Sequence, residues 1–582
     1  MKALRYLNKY FKKYRSKLLI GLLITISARV FSLIMPSYVN ASIQVIENYN
    51  KGIIQMSEAK AALLEDILII IGTTLISATL TFLMRQYIIN VSRYIEYDLK
   101  NEVFEHYLTL DLVFYKKNRI GDLMNRISED VSQVRMYAGP AIMYGFQTLT
   151  LFTILIPLMF IKAPTIAFYT VLPLPVLSVL IYRISRIIHQ RSTKVQQYLS
   201  TLSTFTQEAF SGIAVVKSYR LEKKLDIEIS QLANEGKETS MSLAKVNAWF
   251  FPMMILLIGL SNILVMYIGG KEYLSGNIDS VGVIAEFILY VNMLTWPVAV
   301  VGWLTSIIQR AEASQKRINE FLETKPEIVN LNFDSIELKG ELEFKKVSHT
   351  YDDTNIQALK EVSFKVKKGE TLAIMGKTGS GKSTLLELIA RLMDPTSGEI
   401  YLDGIKLQEY NLDVLRSSIG AVPQDAFLFS ETIEKNIAFS LDELNQKNVI
   451  EAAKKAMVHD NIIEFKDGYQ TVLGERGITL SGGQKQRVSI ARALIKNPKL
   501  FVFDDCLSAV DTETEEKILN ELKESSADIT TFIVSHRVSS VKHADQILIL
   551  DDGKIVQQGS HNELLEDTKG YYYKQYSEQL AH

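Results

Sequence analysis

The sequence predicts a membrane all-α domain of six transmembrane helices, followed by a soluble α/β domain. Three observations support this prediction. Four long stretches lack every charged residue, the charge changes sign along the chain, and a glycine-rich loop stands between a strand pattern and a helix pattern in the second half. Residues 1–340 hold 35 Lys and Arg against 27 Asp and Glu, whereas residues 341–582 hold 29 against 38. A chain of 582 residues is long enough for two to four domains.

The composition excludes several classes of protein. Hydrophobic residues make up 47% of the chain, which is too many for an intrinsically disordered protein. The acidic second half argues against a nucleic-acid-binding domain, which normally presents a basic face. A single cysteine, Cys506, excludes a disulfide framework and a cysteine-based zinc site. The mean hydropathy of +0.09 is intermediate, as expected for a membrane part joined to a soluble part.

Each uncharged stretch is long enough to cross a bilayer, which takes roughly 20 apolar residues. Two further candidates contain one charge each, Arg29 and Arg85. Buried helices of a soluble protein are a poor alternative for four uncharged runs of this length, and the basic start shows no secretory cleavage site. The predicted spans are about 18–38, 67–91, 138–161, 163–182, 246–270 and 283–309.

Loop charges predict the orientation, because cytoplasmic loops are rich in Lys and Arg. With a cytoplasmic N-terminus, the inside segments carry 24 of these residues and the outside segments 4. The sequence therefore predicts a multi-pass protein of the cytoplasmic membrane with its second half in the cytoplasm. Residues 1–17 predict an amphipathic elbow helix on the inner leaflet. The inside segments 92–137 and 183–247 predict long helical extensions beyond the membrane.

Three ionisable residues fall within or near these spans. Arg85 is expected to reach the inner interface and Glu286 to lie near the outer one. A functional role in the membrane is the alternative for both residues. Arg29 lies in mid-span, where a polar cavity and a simpler packing role remain equally open.

The second half of the chain contains a sequence pattern typical of phosphate binding. An apolar strand at 371–375 leads into Gly376-Lys377-Thr378-Gly379-Ser380-Gly381-Lys382-Ser383, and a helical run starts at Thr384. This order is that of a P-loop, in which backbone N–H groups and a helix N-terminus surround phosphate oxygens. Lys382 is expected to pair with the β- and γ-phosphates, and Ser383 to hold Mg²⁺.

A second apolar strand, residues 500–503, ends in two carboxylates, Asp504 and Asp505. A buried parallel strand that delivers an aspartate to Mg²⁺ is the other half of a P-loop nucleotide site. We expect Asp504 to hold the metal ion. Asp505 stands where a general base would polarise the attacking water.

At this point the chain resembles the ABC ATPases. Leu480-Ser481-Gly482-Gly483-Gln484 matches their signature sequence, and other family marks follow in the expected order. These marks are Tyr351 of the A-loop, Gln424 of the Q-loop, Gly474–Gly477 of the X-loop, Asp511 of the D-loop (residues 508–511) and His536 of the H-switch. The resemblance implies an α/β P-loop ATPase domain with a helical subdomain that binds ATP and Mg²⁺.

The resemblance also assigns roles to residues. It implies that Asp505, His536 and Gln424 act in catalysis and that Ser383, Gln424 and Asp504 bind the metal ion. The nucleotide contacts it implies are Tyr351, Gly376, Lys377, Thr378, Gly379, Ser380, Gly381, Lys382, Ser383, Thr384, Ser481, Gly482, Gly483, Gln484 and Asp511.

The membrane half resembles that of exporter half-transporters, in the segments 114–126, 208–217 and 287–297. The implied domains are an elbow helix at 1–17, a transmembrane domain at 18–310, a linker at 311–340 and a nucleotide-binding domain at 341–582. In this family two such domains sandwich ATP between the P-loop of one and the signature of the other. The implied partners are a second half-transporter, the lipid bilayer and an amphipathic drug- or lipid-like substrate, with no nucleic acid.

One residue departs from the family pattern. Active members usually have glutamate directly after the Walker B aspartate, whereas this chain has Asp505. A resembling group of half-transporters carries this aspartate, hydrolyses slowly at that site and pairs with a different chain. The sequence therefore favours a heterodimeric exporter. A homodimeric exporter or lipid flippase with slow hydrolysis, and an ATP-gated channel or regulator, remain alternatives, whereas an importer is disfavoured.

Overall fold

The computed structural model describes residues 2–330, 332–334, 336–441, 443–474, 477, 479–525 and 528–580. Within these ranges the description omits the side chains of residues 174, 177, 178, 181, 182, 185, 250, 251, 257, 299, 524 and 525. The chain divides into two compact units. The first comprises 1–108 and 119–324, and the second comprises 109–118 and 325–582.

The first unit is helical throughout. A 3-10 turn, Ala3–Leu7, precedes its first helix, and π-helical turns at Arg126–Asp130 and Tyr137–Ala141 interrupt its middle. The helices up to residue 322, of which α5 belongs to the second unit, are α1 (Asn8–Lys13), α2 (Arg15–Ser32), α3 (Ile34–Asn50), α4 (Met56–Thr109), α5 (Leu112–Lys117), α6 (Ile120–Asn125), α7 (Val131–Met136), α8 (Ile142–Lys162), α9 (Pro164–Val171), α10 (Pro173–Ser211), α11 (Ile213–Ser218), α12 (Glu222–Leu274) and α13 (Gly282–Leu322).

Five helical segments of the described chain are long and apolar enough to cross a membrane. They are Arg15–Asn50, Met56–Thr109, Ile120–Lys162, Glu222–Leu274 and Gly282–Leu322. Each contains one of the predicted spans. The remaining predicted span, 163–182, begins in α9 and continues into α10, where several side chains lie outside the described set.

Two helices are far longer than a bilayer requires. At 1.5 Å per residue, the 54 residues of α4 extend about 80 Å, against a hydrocarbon core of about 30 Å. Helix α12 has 53 residues. Their length accounts for the long polar segments between spans. The apolar residues Leu64, Leu68 and Leu75 of α4 are exposed, as expected for surface that meets lipid or another chain.

The N-terminal segment packs on protein. Leu4, Leu7 and Tyr10 are buried in the first unit. The hydroxyl of Tyr10 donates to Glu102 on α4, so this short segment is held to a transmembrane helix by polar contacts as well.

The second unit contains two sheets. The strands are β1 (Leu342–Thr350), β2 (Gln357–Val366), β3 (Thr371–Gly376), β4 (Ser397–Leu402), β5 (Ile405–Lys406), β6 (Ile419–Val422), β7 (Leu500–Asp504), β8 (Thr530–Val534), β9 (Gln546–Asp551) and β10 (Lys554–Gly559). Strands β2-β1-β4-β5 form an antiparallel sheet. The other sheet has the order β10-β9-β3-β8-β7-β6, and all its pairs except β10–β9 are parallel.

Helices cover these sheets. They are α14 (Lys382–Ile389), α15 (Leu412–Ser417), α16 (Ile433–Ile437), α17 (Gln446–Lys455), α18 (His459–Ile463), α19 (Gly482–Leu494), α20 (Thr512–Ser525), α21 (Val538–Val541), α22 (His561–Glu566) and α23 (Tyr571–Leu580), with 3-10 turns at Leu407–Glu409, Ala438–Ser440 and Gly468–Gln470. One apolar cluster lies between the two sheets and α14, and a second joins α16–α20 to β7.

The topology of the parallel sheet positions the site. Strands β3, β8 and β7 are direct neighbours, with Ile374 and Asp504 both in register with Val534. The carboxyl ends of parallel strands meet at one edge of a sheet. The P-loop after β3, His536 after β8 and the two aspartates after β7 therefore converge.

Candidate nucleotide-binding site

A cavity of about 370 Å³ lies at this edge of the sheet. Among the predicted site residues, it is lined by Tyr351, Thr378, Gly379, Gly381, Lys382, Ser383, Thr384, Gln424, Asp504, Asp505 and His536. The structure thus brings together predicted site residues from five separate segments of the chain. The loop residues Gly376, Lys377 and Ser380 belong to the same turn but do not line the cavity.

The loop after β3 is held in a narrow geometry. Gly376, Gly379 and Gly381 all have positive φ, and a Cβ at Gly376 would lie 2.2 Å from the carbonyl oxygen of Leu550. The ammonium group of Lys382 donates to the carbonyl oxygens of Gly376 and Lys377, at 2.9 and 2.8 Å. Helix α14 begins at Lys382, so its N-terminus also faces the loop. These features are those of a site for phosphate.

The side chains present fit a magnesium ion. The hydroxyl of Ser383, the carboxylate of Asp504 and the amide of Gln424 all belong to residues that line the cavity. Hydroxyl, carboxylate and amide oxygens are the ligands Mg²⁺ prefers. The loop residue Ser380 adds a buried hydroxyl with no hydrogen-bond partner among the described residues. When bound, the metal ion would neutralise phosphate charge.

The pKa values of the two aspartates, Asp504 and Asp505, are both raised above the ordinary value. Burial raises the pKa of Asp504 above its ordinary value; the Ser383 hydroxyl opposes this rise and the charge of Asp505 adds to it. Burial also raises the pKa of Asp505, against the effect of His536 and Lys382. Burial in turn lowers the pKa of Lys382, which both aspartates counteract. Two neighbouring carboxylates disfavour each other's ionisation, so the site is arranged to receive positive charge.

We expect Asp504→Asn to raise the melting temperature of the nucleotide-free protein at neutral pH. A raised folded-state pKa means that the folded chain binds protons more readily than the unfolded chain. The free energy of unfolding therefore falls as pH rises from the ordinary aspartate pKa through the raised one, and the penalty is largest above the raised pKa. Each kcal/mol of penalty that is removed raises the melting temperature by about 2–4 °C. Scanning calorimetry at pH 7 and at about pH 4, near the ordinary aspartate pKa, measures this. A gain at pH 7 that does not shrink at the lower pH would contradict the electrostatic cause.

Tyr351 lies where an adenine ring could stack. It lines the cavity, and its hydroxyl lies 3.0 Å from the hydroxyl of Thr384. The ring of His349 packs edge-on against it, with the ring centroids 5.0 Å apart. Its orientation is therefore set by two neighbours.

Tyr351→Ala is expected to weaken ATP binding about tenfold, because stacking of a base on an aromatic ring contributes about 1–3 kcal/mol. Tyr351→Phe keeps the ring and loses only the hydroxyl contact, so it should stay within about threefold of the wild type. Titration of the purified full chain with a fluorescent ATP analogue measures both. An equal loss in the two variants would assign the effect to the hydroxyl group.

The signature residues lie outside this cavity. Ser481 is the N-cap of α19, where its hydroxyl accepts from the backbone N–H of Gln484 and the Gln484 side chain accepts from the N–H of Ser481. Their side chains thus stabilise the helix start. Gly482 and Gly483 form its first turn, and Asp511 instead accepts from Thr514 at the start of α20. None of the five lines the described cavity.

Sequence reasoning missed the residues that connect the P-loop cavity with the signature helix α19 and the D-loop. Arg537 donates to the carbonyl oxygens of Val510 and Ser508 and to Glu515, and so ties the D-loop to the segment that carries His536. Gln486 accepts from the backbone N–H of Ala509 at 3.2 Å, which ties the D-loop to α19. The position of Arg537 beside His536 was the available signal. Glu475 and Arg476 of the predicted X-loop lie outside the described residues.

Helix α5 adds a further contact within the second unit. The ammonium group of Lys116 lies 2.8 Å from a carboxylate oxygen of Glu387 on α14. It also lies 5.7 Å from the centre of the Tyr351 ring. A segment from between two predicted spans therefore contacts both the P-loop helix and the aromatic residue of the site.

Comparisons with known proteins agree with this geometry. Residues 18–298 match the ABC transporter transmembrane region, and residues 359–508 match the ABC transporter domain. The chain is 33% identical to YheI of Bacillus subtilis, a probable multidrug resistance ABC transporter ATP-binding/permease protein. The match covers 99% of this chain and 97% of YheI. It is 34% identical to the multidrug resistance-like ATP-binding protein MdlA of Escherichia coli. That match covers 88% of this chain and 87% of MdlA.

The fold has a solved counterpart. A bacterial Atm1-family ABC exporter, solved with ATP bound, superposes with a TM-score of 0.82 at 25% identity, over 98% of this chain and all of that one. Together with full-length relatives above 30% identity, this confirms the resemblance seen in the motifs. The chain belongs to the ABC transporter family and is an ATPase coupled to transport, of the exporter type.

Proposed function

We propose that this chain exports amphipathic drug- or lipid-like molecules across the cytoplasmic membrane by alternating access. It acts as one half of a dimer whose other half is a different chain. Two relatives whose names refer to multidrug resistance support the substrate class. The proposal includes six membrane spans, with 163–182 as the fourth, and assigns the helices around the second apolar cluster to a helical subdomain.

The dimer is proposed because the signature residues do not line the P-loop cavity of the same chain. Ser481, Gly482 and Gly483 open α19 away from the P-loop cavity of the same chain. Helix α19 has 13 residues, and the N-terminus of a helix favours an anion. The N-terminus of α19 is therefore suited to a phosphate that another chain holds. ATP bound between two chains would then bring them together, and hydrolysis would release them.

The proposal that the partner is a different chain rests on Asp505. Its carboxylate is one methylene shorter than glutamate, and catalytic geometry tolerates shifts of about 1 Å poorly. The signature residues, which would complete the partner's site, are all present. This chain would bind ATP, hydrolyse it slowly and supply the signature to a more active site.

The residues of the cavity would divide the chemistry. Lys382 would bind phosphate oxygens, while Ser383, Gln424 and Asp504 would hold Mg²⁺. Asp505 would accept hydrogen bonds from the attacking water, and His536, on the neighbouring strand end, would orient the phosphate.

Transport is tested in inside-out vesicles that contain this chain. ATP-dependent accumulation of a fluorescent amphiphile, absent with Lys382→Ala, supports export. Conductance that follows ATP binding without accumulation against a gradient would favour the channel alternative. Accumulation only when a second subunit is co-expressed would support the heterodimer, and full accumulation by this chain alone would contradict it.

A further inference from the structure

One carboxylate in the membrane unit is surrounded by donors. Glu286 is completely buried, and it accepts from the hydroxyl of Ser37 and the amide of Asn40, each at 2.9 Å. It forms an ion pair with Lys162 at 2.5 Å and also accepts from the hydroxyl of Tyr290. The charge of Glu286 is therefore enclosed and paired within the membrane unit.

These five residues belong to three helices. Ser37 and Asn40 lie on α3, Lys162 ends α8, and Glu286 and Tyr290 lie in the first turns of α13. Charge-assisted hydrogen bonds are roughly twice as strong as neutral ones. The carboxylate thus joins three transmembrane segments at one point.

The line of contact between α3 and α13, called the seam below, continues from Glu286 toward the start of α13. A Cβ at Gly282 would lie 2.4 Å from the side-chain oxygen of Asn40, so the helices touch closely there. Next to Gly282, the backbone N–H of Val281 donates at 2.9 Å to the carboxylate of Glu47, which lies two turns beyond Asn40 on α3. Three successive contacts therefore hold the end of α3 against the start of α13.

The seam is not fully satisfied. The side-chain oxygen of Asn40 and one carboxylate oxygen of Glu47 are buried without a hydrogen-bond partner among the described residues. A polar network with unpaired members is less stable than a complete one, and so is easier to open. The loops that follow α3 and precede α13 have few basic residues, which places this end of the bundle on the outer side.

We propose that Glu286 is the centre of an outer latch, formed by Ser37, Asn40, Lys162, Glu286 and Tyr290, that holds the outer ends of α3 and α13 together. The latch must separate when the transporter opens outward. It therefore sets how much of the protein is open on the outer side before ATP binds. This inference rests on the proposed alternating-access function.

The test uses a buried cysteine as a reporter of opening. Ser280, at the seam, is 2% exposed, and the native Cys506 is buried in the second unit. The full chain with Ser280→Cys is labelled with a membrane-impermeant maleimide from the outer side of right-side-out proteoliposomes. We expect slow labelling without nucleotide and faster labelling when a non-hydrolysable ATP analogue and Mg²⁺ are enclosed in the vesicle lumen, where the nucleotide-binding half lies.

Adding Glu286→Gln should raise the nucleotide-free labelling rate at least fivefold, since the ion pair with Lys162 is lost. Tyr290→Phe removes one donor and should give a smaller rise. Asp66→Asn is the matched control: Asp66 is also buried and also accepts from α3, through Ser42 at 2.9 Å, but it lies on α4 and outside the latch. It should change the rate less than twofold. Gel filtration and ATP-analogue binding verify folding, and Tyr290→Phe provides the test if Glu286→Gln does not fold.

The outcomes separate the latch from the proposed function. An unchanged nucleotide-free rate in both latch variants, with a reporter that responds to nucleotide, overturns the latch and leaves the export proposal standing. An equal rise in Asp66→Asn also overturns it, because that result indicates general loosening. Failure of the reporter to respond to nucleotide, together with no vesicle accumulation, counts against the proposed function. A rise confined to Glu286→Gln and Tyr290→Phe supports the latch.

Discussion

Replacing Asp505 by glutamate is expected to raise the Mg²⁺-dependent ATPase rate of the purified chain in nanodiscs by between about tenfold and about 100-fold. The longer side chain would bring the carboxylate about 1.5 Å nearer to the water that must be activated. The wild-type chain alone should turn over very slowly. Phosphate release at saturating ATP measures both rates.

The backbone at Asp505 adds a second effect. Its φ is +43°, a left-handed conformation that aspartate adopts more readily than glutamate. Its N–H donates to Val534 and its carbonyl accepts from Ser508, so this conformation is held by the strand and the D-loop. We therefore expect Asp505→Glu to lower the melting temperature slightly while it raises the rate.

Two controls make the result specific. Asp505→Asn should not raise the rate, because an amide cannot act as a base. Asp505→Glu combined with Lys382→Ala should abolish it, since the phosphates are no longer held. Steady turnover of the wild-type chain that is lost with Lys382→Ala alone would show that Asp505 is competent, and would contradict the preference for a different partner.

Gly381→Ala is expected to eliminate ATP binding, whereas Gly379→Ala should weaken it only modestly. Both glycines have positive φ, at +98° and +81°. A Cβ at Gly381 would lie 2.3 Å from the carbonyl oxygen of Ala358, on β2, whereas a Cβ at Gly379 would meet no atom within 4 Å. The first substitution adds a backbone clash to conformational strain, and the second adds strain alone.

The expected loss of stability follows from these geometries. A left-handed non-glycine residue costs about 1–2 kcal/mol, and overpacking adds about 1–3 kcal/mol. ATP-analogue titration and calorimetry of the full chain measure the two variants side by side. Comparable binding by both would mean that β2 yields to the extra methyl group, and that the loop is less constrained than its contacts indicate.

Features encoded by neighbouring residues could be predicted from the sequence. Five of the six predicted spans lie in helical segments of the described chain that are long and apolar enough to cross a membrane, because a bilayer requires about 20 consecutive apolar residues. The P-loop could be located because its glycines, its lysine and the start of its helix are adjacent. The ABC transporter family followed from motifs whose order along the chain is itself informative.

Other features depend on residues that folding brings together. Lys162 and Glu286 are 124 positions apart, and nothing local to either residue predicts the pair. The left-handed backbone of Asp505 and the contacts of Arg537 with the D-loop also arise from the packing of strand ends and loops. Sequence patterns report which residue types are available within a few turns of helix or one strand. Which of them meet is set by topology, because the parallel order of β3, β8 and β7 and the seam between α3 and α13 join segments that are far apart in the chain.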